Sequence, residues 1–204
     1  IKSRPVYYLP VKKLEEVYNL KIDEFEFLSI EALKRYLDTN ANYVRDFDFA
    51  IGCNGSLMMP ISSLKSAVSY PTSLPVIIFG KKGTGKKYLA KLALDYLKNN
   101  NLCDKKSKFI YYDLSKESFE DVLIDIKKNE KQIQKGLIYL NSVSSLSLKQ
   151  QKELALTIET IEKLKIIVSS EQDADYLEPE LLFEVPVRIS LPLFVDRSED
   201  EKKQ

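Results

Sequence analysis

Seven consecutive residues, Gly80-Lys81-Lys82-Gly83-Thr84-Gly85-Lys86, combine what is needed to hold a phosphate. Glycines let backbone N–H groups turn inward, and a closing lysine reaches the outer oxygens. The loop follows the apolar run Pro75-Val76-Ile77-Ile78-Phe79, which reads as a central strand. It leads into a helical pattern starting near Lys86, whose N-terminus adds partial positive charge. Strand, glycine-rich turn and helix in this order read as a phosphate-binding loop, with ATP or ADP as the expected ligand. The residues expected to bind it are Gly80, Gly83, Thr84, Gly85, Lys86 and Lys87. A hydroxyl that ligates magnesium usually follows the lysine, and Lys87 stands there instead, so the Mg2+ site is expected to be compromised. The lysines at 81, 82, 86 and 87 have two readings, a cradle for polyphosphate and a solvated basic turn.

Composition removes much other chemistry. The 204 residues contain no histidine, which excludes imidazole acid–base catalysis, Ser-His and Cys-His pairs and imidazole metal ligation. Cys53 and Cys103 have no CxxC spacing and read as reduced thiols, which fits a cytoplasmic setting. A balance of 31 basic and 30 acidic residues supplies no field toward nucleic acid or an anionic membrane. No apolar run approaches the roughly 20 residues of a membrane span. The chain opens on Ile1 and ends in a charged segment, so it is expected to be a piece of a longer protein.

The elements that must position the loop follow from periodicity. Five apolar runs read as buried strands: Leu74 to Phe79, Lys108 to Leu114, Leu137 to Leu140, Lys165 to Ser169 and Val187 to Leu191. Helical patterns lie between them at Lys86 to Asn99, Glu117 to Lys128, Leu148 to Ile161 and Glu178 to Phe183. Such alternation predicts βαβ units: a three-layer α/β sandwich around a five-stranded, mainly parallel sheet. Ahead of it, helices are predicted around Val11 to Tyr18, from Ser29, and over Leu57 to Val68, with an extended stretch at Arg4 to Leu9. The expected organisation is a mostly helical linker over 1–46, a P-loop core over 47–197 and a charged tail over 198–204.

From Gly80 to Lys91 the sequence resembles the Walker A region of sigma-54-interacting AAA+ domains, where GESGTGKE-type loops also put a non-hydroxyl residue after the lysine. Ile51-Gly52-Cys53-Asn54-Gly55-Ser56-Leu57 and the helix ending at Ser69-Tyr70-Pro71 look like the entry of the LevR-like, phosphotransferase-system-linked branch. That resemblance implies Ile51 and Gly52 beside the adenine. Leu137 to Val143 aligns with the family's Walker B stretch, and it implies Asn141 at the magnesium-linked aspartate and Ser142 at the water-orienting glutamate. By the same resemblance Glu171 occupies the sensor asparagine position and Phe183 that of the arginine finger, with Arg188 out of register. Nothing resembles the GAFTGA loop that touches sigma factor. Arg4 to Leu9 is similar to the end of a winged-helix wing, which implies an upstream DNA-binding domain.

The first functional reading is therefore a nucleotide-binding AAA+-like module of a bacterial transcription regulator with hydrolysis lost, and no catalytic residue is assigned. Its expected partners are other domains of the same regulator and further copies of itself, with no direct nucleic acid or membrane contact. A second reading is a structural or assembly domain whose loop is a relic. A third is a small-molecule P-loop kinase with Asp113 as general base, against which stand the alternative of a turn-capping Asp and the scatter of Arg4, Arg35, Arg45, Arg188 and Arg197.

Overall fold

In the computed structural model, residues 8–18, 22, 26–40, 46–72, 74–132 and 136–203 are described. The chain divides into two units, Ile1–Val44 and Arg45–Gln204. The first contains α1 (Val11–Tyr18) and α2 (Ile30–Asn40). Ser29 caps α2, its Oγ accepting the Ala32 N–H at 3.1 Å, as its residue type foretold. Phe27 packs on Tyr36 with ring centroids 5.0 Å apart. Of the extended stretch expected at Arg4 to Leu9, residues 4–7 lie outside the described residues, and Tyr8 and Leu9 are in neither helix nor strand.

The second unit is built on five strands: β1 (Val76–Phe79), β2 (Lys108–Asp113), β3 (Gly136–Asn141), β4 (Leu164–Ser170) and β5 (Val187–Ser190). All neighbours pair in parallel, in the order β2-β3-β4-β1-β5. The five-stranded α/β expectation holds, and the sheet is wholly rather than mainly parallel. Every residue of β1 is buried because helices cover both faces, which is why Val-Ile-Ile-Phe shows no alternation. The ladder begins at Val76 rather than Leu74, since Pro75 has no N–H to give it.

Helices α3 (Met58–Ser69) and α4 (Lys86–Asn99) pack on the face formed by Val76, Ile78, Leu137, Tyr139 and Ile167. Helices α5 (Phe119–Gln132), α6 (Leu148–Glu159) and α7 (Pro179–Glu184) pack on the opposite face, against Ile77, Phe79, Ile138, Leu140 and Val168. Local chemistry sets the helix ends. Asn101 takes the left-handed conformation (φ 56°) after α4, and Leu102 N then donates to Leu97 O at 2.8 Å. Ser147 and Gln150 form a reciprocal capping box at the start of α6.

Within the charged segment expected as a tail over 198–204, the described residues include a helix. This is α8 (Glu199–Lys203), and Glu201 is buried, accepting from Ser56 N at 2.8 Å and Ser56 Oγ at 2.6 Å. A carboxylate 145 residues distant in sequence supplies the partner, which composition alone does not reveal.

Gln151 joins α6 to α7 at 1% exposure: its Nε2 donates to Leu146 O at 3.1 Å and its Oε1 accepts from Glu178 N at 2.9 Å. Gln151→Ala leaves both backbone groups buried and unpaired. The expected loss is about 1–3 kcal/mol, read from equilibrium urea unfolding of the variant against the parent.

Candidate functional site

Three strands end together and define the place. Gly80 N donates to Ser170 O at 3.1 Å and Leu191 N to Phe79 O at 2.9 Å, so β1 is clamped between β4 and β5 as the loop leaves it. The loop thus emerges at the carboxyl end of a central strand, beside the point where connections diverge to either side of it, where α/β folds bind ligands. Gly83 and Gly85 take φ of +86° and +96°, conformations a side chain would strain. Among the described residues, the backbone N–H groups of Gly83, Gly85, Lys86 and Lys87 meet no acceptor, and the first turn of α4 has no side-chain cap. Those of Gly85, Lys86 and Lys87 are the orphan donors of a helix start, the kind of group that binds anions.

Lys86 is buried and folds into that loop. Its Nζ donates to Gly80 O at 2.6 Å and Lys81 O at 3.0 Å. Burial lowers its pKa, and the nearby Glu171 carboxylate works in the other direction. Thr84 is also buried, with its hydroxyl on Lys81 O at 2.9 Å. All six loop residues predicted to bind phosphate are therefore brought together on one turn.

A pocket of about 270 Å³ continues from the loop, slightly below the roughly 300–1,000 Å³ usual for ligand sites. Gly83, Thr84 and Gly85 form one wall, Tyr88 and Leu89 of α4 another, and Phe49, Ala50, Ile51 and Leu57 a third. Ile51 thus lines the same pocket as three residues of the loop. Gly52 is not on the wall; it adopts φ of +91° and abuts Ser56 and Glu201.

Phe194 and Arg197 complete the pocket, and sequence reasoning missed both. Arg197 is 9% exposed, donates from Nη2 to Thr84 O at 3.1 Å and from Nη1 to Ile51 O at 3.4 Å, and stands 6.0 Å from the Phe194 ring. Its Nε is buried with no hydrogen-bond partner. The scatter of arginines along the chain hid this one, because only folding brings residue 197 to residue 84.

The opposite side of the loop has a different character. Asn141, at the end of β3, donates from Nδ2 to Asp113 Oδ1 (3.4 Å) and Ser142 Oγ (3.0 Å). Its Oδ1 accepts from Ser169 Oγ (3.1 Å) and from the Tyr139 hydroxyl (3.4 Å). Burial would raise the Asp113 pKa, but hydrogen bonds from Ser115, Asn141 and Lys116 overcome it and hold the carboxyl at about 2. The Lys87 ammonium lies 3.3 Å from the Tyr111 ring centroid, and Tyr111 stacks on Tyr139 at 6.0 Å. Glu171 is exposed, and its carbonyl accepts from Lys81 Nζ at 3.4 Å.

The fold family implies magnesium, and these residues do not fit it. An ammonium occupies the hydroxyl position, Asn141 has its oxygen committed, and among the described residues no group of three or more Asp, Glu, His or Cys could hold an ion. Phe183 is 81% exposed on α7. It borders a hollow of about 360 Å³ with Leu156 and Glu180, which contains no loop residue. Arg188 is exposed on β5.

Residues 54–187 match the family model of the sigma-54 interaction domain. The transcriptional regulatory protein LevR of Bacillus subtilis is 24% identical over an alignment that covers 99% of this chain and 26% of LevR. The transcriptional regulatory protein DagR of Salmonella typhimurium is 31% identical over 93 residues, 45% of this chain and 10% of DagR. The chain thus spans about a quarter and a tenth of these relatives. Domain III of the replication initiation protein DnaA of Thermotoga maritima superposes with a TM-score of 0.58 at 19% identity, over 79% of this chain and 71% of that one. C. elegans PCH-2 superposes at 0.50 with 18% identity, over 72% and 44%. The fold is that of AAA+ P-loop domains.

Hydrogen bonds from the Ser56 hydroxyl, then from its backbone N–H, lower the Glu201 pKa against the opposing effect of burial, with help from Arg197. A depressed carboxylate contributes stability above its unfolded value of about 4.3 and loses it as pH falls through the folded value. Glu201→Gln should therefore be less stable than the parent at pH 7, with the gap closing below about pH 4, as read from urea midpoints across that range.

Proposed function

For this chain, which belongs to the sigma-54 interaction domain family, we propose the role of a nucleotide-binding regulatory module of a transcription regulator, with ATP or ADP as ligand and hydrolysis lost. The observation that carries this reading is the continuity of two features: a loop with unpaired N–H donors around a lysine, and a pocket closed by Phe194 and Arg197. The first suits phosphates and the second a base. Gly80, Gly83, Thr84, Gly85, Lys86 and Lys87 would hold the phosphates, and Ile51, Tyr88 and Arg197 would border the base.

Loss of hydrolysis is supported by what surrounds the phosphate end. Phosphoryl transfer needs an oriented nucleophile and charge stabilisation together. Asn141 and Ser142 offer no carboxylate to orient water, and Phe183 brings no positive charge. Asp113 also fits poorly as the base of a kinase, since a carboxyl held at about 2 binds protons weakly at neutral pH. The partners proposed are other domains of the same protein, because LevR and DagR are far longer than this chain, and further copies of it.

One observation favours the alternative of a structural domain with a relic loop. Lys86 is already satisfied by Gly80 O and Lys81 O, and Arg197 holds Thr84 O, so the loop keeps its shape by internal bonds.

Thermal melting separates the two readings. At about 100 times its dissociation constant a ligand adds about 2.7 kcal/mol, which for this size raises Tm by about 5–10 °C. The shift is expected for ATP or ADP and is expected to vanish in Lys86→Ala. No shift for ATP, ADP or GTP would leave the structural reading standing. Steady phosphate release that Lys86→Ala abolishes would overturn the loss of hydrolysis.

A further inference from the structure

We propose that this site binds its nucleotide without a divalent cation, with the Lys87 ammonium acting on the phosphates in the cation's place. The inference rests on the nucleotide-binding reading and assigns the charge chemistry of that same site.

A divalent cation in a phosphate loop does two things: it neutralises the outer phosphate oxygens and bridges them to protein oxygens. The second task needs free oxygen donors, and those at the ends of β2 and β3 are committed. Asn141 Oδ1 receives Ser169 and Tyr139. Asp113 Oδ1 receives Ser115 and Asn141, while its Oδ2 receives the Tyr111 hydroxyl at 3.3 Å and faces Lys116 Nζ at 3.4 Å. A metal entering here would have to break these bonds and also approach a fixed ammonium.

The first task is met by the chain itself. Lys87 follows Lys86 on the first turn of α4, and its Nζ rests on the face of Tyr111. An aromatic face attracts the cation through its quadrupole yet accepts no conventional hydrogen bond from all three N–H groups. Among the described residues no carboxylate forms an ion pair with Lys87, and no oxygen accepts from its Nζ. Lys87 is thus a positioned cation with spare donors, one residue from the unpaired N–H groups that read as a phosphate cradle. Lys87 adds a second positive charge beside that of Lys86.

The test is calorimetric titration of the chain with ATP and ADP at fixed ionic strength, in EDTA or in magnesium chloride. The expected dissociation constants agree within about threefold between the two buffers. Lys87→Thr should weaken binding in EDTA by about tenfold or more, and Lys87→Arg should stay within about threefold of the parent. Unchanged melting and circular dichroism without nucleotide would certify that both variants fold. Binding at least about tenfold tighter with magnesium would overturn metal-free binding, and no effect of Lys87→Thr in EDTA would overturn the role of Lys87, each leaving nucleotide binding intact. Absence of binding in both buffers would overturn the nucleotide reading and this inference with it.

Discussion

The buried ammonium of Lys86 requires oxygen around it, and this constraint organises the second unit. The carbonyls of Gly80 and Lys81 turn inward to meet it, and once they do, the following peptide groups present their N–H sides to the concavity. That geometry can exist only where a strand stops abruptly and a helix begins at once. The clamps from Ser170 and Leu191 fix the end of β1 on both sides, and Arg197 ties the far side of the loop through Thr84 O. The buried β1 is the rigid mount, and the polar loop is the part it displays.

The polar residues at the ends of β2, β3 and β4 make physical sense as a set. Two carboxylates at positions 113 and 141 would face each other across a hydrogen-bonding distance, and without a strongly bound cation one of them would have to protonate or move away. Asn141 resolves the conflict by donating to Asp113 while accepting from Tyr139 and Ser169. The network joins the ends of β2, β3 and β4 and leaves Asp113 ionised. Polar groups at the strand ends here stabilise one another.

Much of this architecture was legible because it depends on local pattern. Apolar runs separated by helical periods are enough to foretell βαβ units, and the start of α4 at Lys86 and its end at Asn99 coincide with the predicted limits, where glycine and asparagine permit the left-handed backbone. The loop residues were legible for the same reason, since they are contiguous. Arg197, Phe194 and Glu201 were not, because their meaning comes from partners more than a hundred residues away. Arg197 looked like an isolated cation and Glu201 like part of a charged tail, and both proved to be buried, Arg197 on the wall of the pocket and Glu201 against Ser56. The glycine character of Gly52 answers to a positive φ and to the carboxylate of Glu201 beside it, neither of which is visible in the sequence.

Arg188, out of register for catalysis, has a different physical meaning on β5. In the order β2-β3-β4-β1-β5 the outer strands carry unpaired backbone groups on one side, and a bare strand of alternating apolar residues would be a template on which other chains could add. Arg188 projects into solvent from the middle of β5, and Lys108 does the same from the beginning of β2. A stray strand would have to strip water from a guanidinium or an ammonium to dock there. The two ends of the sheet thus each carry a charge of the kind that discourages strand addition.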